Sequence, residues 1–118
     1  MKPIIPADRR AANISAAFTP FVYPDGVALG DTVLQPNTDR PLGTGFHLYR
    51  MPPGMTTRGH RHNGEEHFYV LEGELIDNDG MVFGKGDIVS YRDGTEHSSH
   101  SDSGCLLVVY ITDPETVL

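Results

Sequence analysis

An all-β barrel or sandwich is the fold class the sequence predicts, and three observations predict it. Turn-forming clusters recur about every ten residues, no stretch holds a helical period for long, and the most apolar run, Cys105–Thr112, has strand length. Glycine (13) and proline (9) are frequent in a chain of 118 residues, so much of the backbone must turn. At this length the chain is expected to be one domain, residues 1–118, with 1–17 as an N-terminal arm.

Taken in order, Ala7–Ala17 is predicted as a short helix and Val27–Leu34 as the first strand. Gln35–Thr44 is dense in turn formers and reads as a loop. Phe46–Met51 is a strand closed by Pro52-Pro53-Gly54, and Arg58–His62 is a short strand ending in Asn63-Gly64, a hairpin signal. Glu66–Leu71 and Glu74–Asp77 continue as strands with a break at Gly73. Asn78-Asp79-Gly80 is a second hairpin signal. Asp87–Tyr91 and His97–Ser101 are strands on either side of an Arg92-Asp93-Gly94 turn. After the turn at Ser101–Gly104, Cys105–Thr112 is predicted as a buried strand.

The formal charge of −7 repels phosphate backbones, and no Lys/Arg-rich run exists, so nucleic acid is not an expected partner. No run approaches the roughly 20 apolar residues of a membrane span. Arg9 and Arg10 interrupt any apolar core of signal-peptide length, and the single cysteine, Cys105, cannot form an internal disulfide. A cytoplasmic location is the expectation from these features.

Three of the six histidines fall within Gly59–His67 beside two glutamates. His60 and His62 are two apart, so on a strand both rings project from one face at a spacing that suits one metal ion. If Asn63-Gly64 folds the chain back, Glu66 opens the antiparallel partner strand and points to the same side. Two imidazole nitrogens and a carboxylate oxygen form a common ligand set for zinc, iron, manganese, cobalt, nickel or copper.

The segment GMTTRGHRHNGEEHFYVLEG, residues 54–73, resembles the first cupin motif: glycine, five residues, H-x-H, three or four residues, glutamate, six residues, glycine. Gly54, His60, His62, Glu66 and Gly73 occupy every fixed position. GDIVSYRDGTEHSSHS, residues 86–101, resembles the second motif through Gly86, Gly94 and His97, with Arg92 in place of its proline and Ser101 in place of its asparagine. The resemblance implies a small double-stranded β-helix, the jelly-roll barrel of RmlC-like cupins. It also implies one divalent transition metal per chain on His60, His62, Glu66 and His97, with zinc and iron first among the ions. GHRHNGEEHFYVLEGEL followed by GTEHSSHSDSGCLLVVYI is similar to the cupin half of ChrR-type anti-sigma factors, which binds zinc and takes part in oxidant sensing. Free-standing cupins of similar sequence also include oxygenases acting on small ketones and phenols.

Two functions follow as expectations. The first is a metal-dependent oxidoreductase, dioxygenase-like, acting on a small oxygenated compound, with Glu66 as both ligand and catalytic proton acceptor. The second is a non-catalytic zinc module that senses an oxidant or binds a metabolite. Strand alternation turns Phe68 and Val70 inward with Glu66, and turns His67, Tyr69 and Leu71 outward. That partly aromatic outer face, together with the sheet edges of a small barrel, predicts a homodimer. His47 can reach the cavity or simply pack, and His100 has the opposite parity to His97 and should lie outside the pocket. Tyr49, Tyr91 and Tyr110 are expected to pack, and Cys105 to be a small core residue.

Overall fold

The computed structural model describes residues 2–118 and is all-β, with no helix long and apolar enough to cross a membrane. Its strands are β1 (Thr19–Pro20), β2 (Thr32–Leu34), β3 (Gly45–Met51), β4 (Met55–Thr56), β5 (His60–Arg61) and β6 (Glu66–Asp77), followed by β7 (Val82–Gly84), β8 (Ile88–Tyr91), β9 (Glu96–His97), β10 (Ser99–Ser101), β11 (Cys105–Ile111) and β12 (Thr116–Val117). Neighbours in the main sheet run β1-β2-β3-β11-β6-β10-β4, with β7 and β8 also paired to β6. A small second sheet has the order β12-β5-β9.

The core lies between the inward faces of β6, β11 and β3. β11 pairs antiparallel with β3 on one side and β6 on the other, which buries the alternate residues Cys105, Leu107, Val109 and Ile111. Phe68 and Val70 join them from β6, as strand alternation predicts, and Met51 from β3. Cys105 is buried in this core, and burial pushes its thiol up.

Four expectations are corrected. Ala7–Ala17 forms no helix: its residues are exposed, so no packed face supports the segment, and helices this short are marginal without one. Asn13 Oδ1 instead accepts from the Ser15 amide and hydroxyl, the local bonding that competes with a helix. Val27–Leu34 shortens to Thr32–Leu34, because Asp25 Oδ1 caps the Val27 amide in a turn that also joins Tyr23 to Val27. Asn63-Gly64 is a bend, not a hairpin: both edges of β5 are already taken, by β9 and β12, so β6 cannot pair with it. The chain does not break at Gly73. β6 runs through it, and the irregularity is absorbed as a bulge opposite Leu106 and Leu107.

Gly73 has φ +78°, and a Cβ there would lie 2.0 Å from the carbonyl oxygen of Gly104, so only glycine fits the crossing of β6 and β11. The bulge also switches which parity faces inward. Phe68 and Val70 are buried before it, Leu75 and Asp77 after it. The Asn78-Asp79-Gly80 turn joins β6 to β7 as predicted, and Arg92-Asp93-Gly94 is the turn between β8 and β9.

Candidate metal centre

Backbone pairing brings the histidines together. β5 and β9 are antiparallel with His60 directly opposite His97 and Arg61 opposite Glu96, and the His62 amide extends the pairing by donating to the Thr95 carbonyl at 2.9 Å. His60 and His62 share the inward face and are buried, while Arg61 between them is exposed. One ring nitrogen from each of His60, His62 and His97 lies within 4.8 Å of the others. The ring centroids are 4.6 Å (His60–His97), 4.8 Å (His62–His97) and 5.3 Å (His60–His62) apart.

Neighbouring groups orient each ring. His60 Nδ1 bonds the Arg58 carbonyl at 2.8 Å, so the Nδ1–H tautomer leaves Nε2 as the lone pair. His97 Nδ1 bonds Asp77 Oδ1 at 3.1 Å, and Asp77 also accepts from the Tyr91 hydroxyl at 2.7 Å and the Ser99 hydroxyl at 2.8 Å. Burial alone would raise the Asp77 carboxyl, but the hydrogen bonds from His97, Tyr91 and Ser99 outweigh it and hold it below the usual range. His62 stacks on Tyr91, centroids 5.1 Å apart and planes 17° apart. Burial and the nearby His97 and His60 rings lower His62 to about 4, so it is a neutral imidazole at pH 7.

Glu66 opens β6 with its side chain 12% exposed, and its Oε2 lies 4.0 Å from His62 Nδ1. It groups with His62 and Glu115, one donor atom from each within 4.8 Å of the others, and meets the three-histidine group only through His62. Burial, then the adjacent Glu115 carboxylate, raises the Glu66 carboxyl well above the usual range.

His62 Nε2 and His97 Nε2 are buried without any hydrogen-bond partner. Buried polar atoms are nearly always satisfied, and two unpartnered imidazole nitrogens within one cluster match the donor set of a transition ion. The residues present therefore fit a divalent metal. Beside them is a cavity of about 260 Å³, walled by Phe68, Leu75, Leu107, Val109 and Ile111 and reached by His60, Glu66, His97 and Glu115.

The other singled-out residues fall as follows. His47 is buried on the cavity wall with Nδ1 on the Gly45 carbonyl at 2.9 Å, and burial lowers its pKa. His67 faces outward beside Glu65 at 3.1 Å, with its ring near Tyr110. His100 lies outside the pocket, between Thr56 and Asp102. Tyr49 donates to the buried Asp31 at 2.6 Å.

Sequence reasoning missed Asp77, the contact of Tyr91 with the histidines, and Glu115. Asp77 shares strand parity with the apolar Leu75, and a charged residue on an inward face needs partners, but that face is inward only because of the bulge in β6, which the sequence does not mark. Glu115 follows Asp113-Pro114 in a segment with no periodicity and no motif, and nothing in the sequence singles it out.

The comparisons with known proteins agree with this fold. Among solved structures, an RmlC-like cupin protein from Ralstonia eutropha JMP134 superposes with a TM-score of 0.68 at 18% identity, covering 86% of this chain and 66% of that one. An acetylacetone dioxygenase from Acinetobacter johnsonii superposes at 0.67 with 12% identity, covering 100% of this chain and 85% of that one. The complex of Rhodobacter sphaeroides SigE with the anti-sigma ChrR matches at 0.56 with 25% identity, over 74% of this chain and 45% of that one. The chain thus spans just under two thirds of the first of these proteins and less than half of the last. No protein of curated function matches it. These likenesses establish the cupin fold, a small double-stranded β-helix. Residues 30–113 match the family described as the ChrR Cupin-like domain, and the chain belongs to that family.

Proposed function

We propose that the chain binds one divalent transition metal at His60, His62, His97 and Glu66 and acts there on a small, partly apolar oxygenated compound, as an oxidoreductase of dioxygenase type. The observation that carries this is the juxtaposition of a three-histidine cluster, two of its nitrogens unsatisfied, with an apolar cavity of about 260 Å³. A space of this size suits a ligand of few heavy atoms. A first-row ion held there supplies Lewis-acid polarisation of an oxygen donor and, when redox-active, one-electron chemistry with dioxygen. The chain's own residues do the rest. The apolar walls exclude water, the Asp77–His97 and Arg58–His60 hydrogen bonds fix the rings, and Glu66 at the cavity edge accepts a proton from an enolisable carbon.

The second reading is a zinc module without turnover, and the family match favours it, because the ChrR Cupin-like domain takes its name from an anti-sigma factor. Oxygen uptake separates the two. Protein loaded with iron, manganese, nickel or zinc is given a panel of small diketones, hydroxyketones and phenols. Uptake by a redox-metal form that falls at least about tenfold in Glu66→Gln supports the enzyme. No uptake by any form, with zinc released on exposure to singlet oxygen or peroxide, supports the sensor. Elemental analysis after reconstitution should give one ion per chain; well under one removes both readings.

The chain is also proposed to form a homodimer through the outer face of its main sheet. Phe46, Tyr110 and His67 form one row across β3, β11 and β6, and Tyr69 pairs with Ile88 beside it. Phe46 and Ile88 are 61% and 83% exposed on this face, apolar surface that a second copy would cover. Light scattering should give twice 12.9 kDa for the parent chain and 12.9 kDa for a Phe46→Lys/Ile88→Lys variant. A parent mass of 12.9 kDa counts against the dimer.

A further inference from the structure

The geometry points to Glu115 as a second carboxylate of the metal centre, brought in by β12 and not by either histidine motif. This rests on the metal-binding reading above. Glu115 bridges the two donor groups. It lies with Glu66 and His62 within 4.8 Å, and its Oε2 is 3.4 Å from His60 Nε2.

The position is built, not incidental. β12 pairs with β5, setting Thr116 opposite Arg61 and Val117 opposite His60, so the residue before the strand is delivered beside the His60 ring. The Leu118 amide donates to the Gly59 carbonyl at 2.9 Å. On the other side Asn63 Nδ2 donates to the Pro114 carbonyl and to Thr116 Oγ1, both at 2.9 Å, which ties the segment down on each flank of Glu115. The same Asn63 that sequence reasoning gave to a hairpin therefore holds the segment that carries this carboxylate.

Charge gives the independent argument. Among the described residues, neither Glu66 nor Glu115 lies within ion-pair distance of a lysine or arginine; their only basic neighbours are the imidazoles of His62 and His60. Two adjoining carboxyl groups with side chains only 12% and 29% exposed cannot both be ionised in a poorly hydrated site unless a cation lies between them; without one, a proton must take its place. A divalent ion would balance both charges, and the unsatisfied nitrogens of His62 and His97 would be available to hold it. A second oxygen donor shifts preference toward oxygen-seeking ions such as manganese and iron, relative to a site of three histidines and one carboxylate.

The test measures Zn²⁺ and Mn²⁺ affinity by chelator competition, and melting temperature with and without metal, for the parent, Glu115→Gln and Asn63→Ala. Glu115→Gln keeps the size of the side chain and removes its charge. It should weaken Zn²⁺ about 10-fold and Mn²⁺ about 100-fold, while the metal-free melting temperature stays level or rises. A purely structural Glu115 gives the opposite pattern, a lower metal-free melting temperature with both affinities within about twofold, and that overturns the inference. If Glu115→Gln lowers both, Asn63→Ala decides. It loosens β12 without touching the carboxylate, so a smaller loss of affinity than in Glu115→Gln supports ligation and an equal loss overturns it. A parent chain that binds neither ion overturns the metal reading and this inference together, whereas tight binding unchanged in Glu115→Gln overturns this inference alone.

Discussion

His62→Ala is expected to bind a divalent ion more than about 100-fold more weakly than the parent chain and still to unfold in one cooperative transition. Loss of a partner that only orients a ligand costs 10- to 100-fold, so removing a ligand itself should cost more. His62 is the member of the cluster that both donor groups share, its side chain is 1% exposed, and its Nε2 has no other partner to lose. Its lowered pKa means that the ring need not shed a proton to bind at pH 7. The fold survives because the core of Met51, Phe68, Val70, Leu107 and Val109 is built on β3, β6 and β11, whereas His62 lies just beyond β5. The truncation leaves a gap against Tyr91, a cost of about 2–3 kcal/mol. Chelator competition and a circular-dichroism melt read the two effects separately. Affinity equal to the parent's would remove His62 from the centre.

The largest effect on stability is expected at a residue with no side chain. Gly73→Ala meets two penalties at once. A φ of +78° costs an L-residue about 1–2 kcal/mol, and a methyl group 2.0 Å from the Gly104 carbonyl oxygen forces β6 and β11 apart where they pair, roughly another 1–3 kcal/mol. Together these should lower the melting temperature on the order of 10 °C. Gly80→Ala is the matched control: φ there is +91°, with nothing within 4 Å of the added carbon, so only the conformational penalty applies. Equal losses from the two variants would show that crowding at Gly104 contributes nothing.

Much of this was legible in the sequence wherever a local rule carried the information. Strand alternation put Phe68 and Val70 inside and His67 outside, and the H-x-H spacing put His60 and His62 on one face. What local rules could not supply was which strand pairs with which. Asn63-Gly64 has the composition of a hairpin, yet β5 pairs with β9 and β12, strands that lie far along the chain. The contacts that set His60 opposite His97 and Glu115 beside His60 are thus long-range, and no window of sequence encodes them. Asp77 was hidden for a related reason. The bulge at Leu71, between Val70 and Glu72, reverses strand parity, so counting alternation from Glu66 places Asp77 on the wrong face.

β6 has one further consequence. Its first half is hydrogen-bonded to β8 and β11, and its second half to β7 and β10, all within one unbroken run of 12 residues. Neither half of the sheet owns a backbone of its own. Opening one frees the strand on which the other depends, so the molecule lacks the seam along which partial unfolding proceeds in proteins assembled from separable units. Amides in the middle of β6 are therefore expected to exchange through global unfolding, with a free energy of exposure equal to that for losing the whole fold, which native-state hydrogen exchange measures.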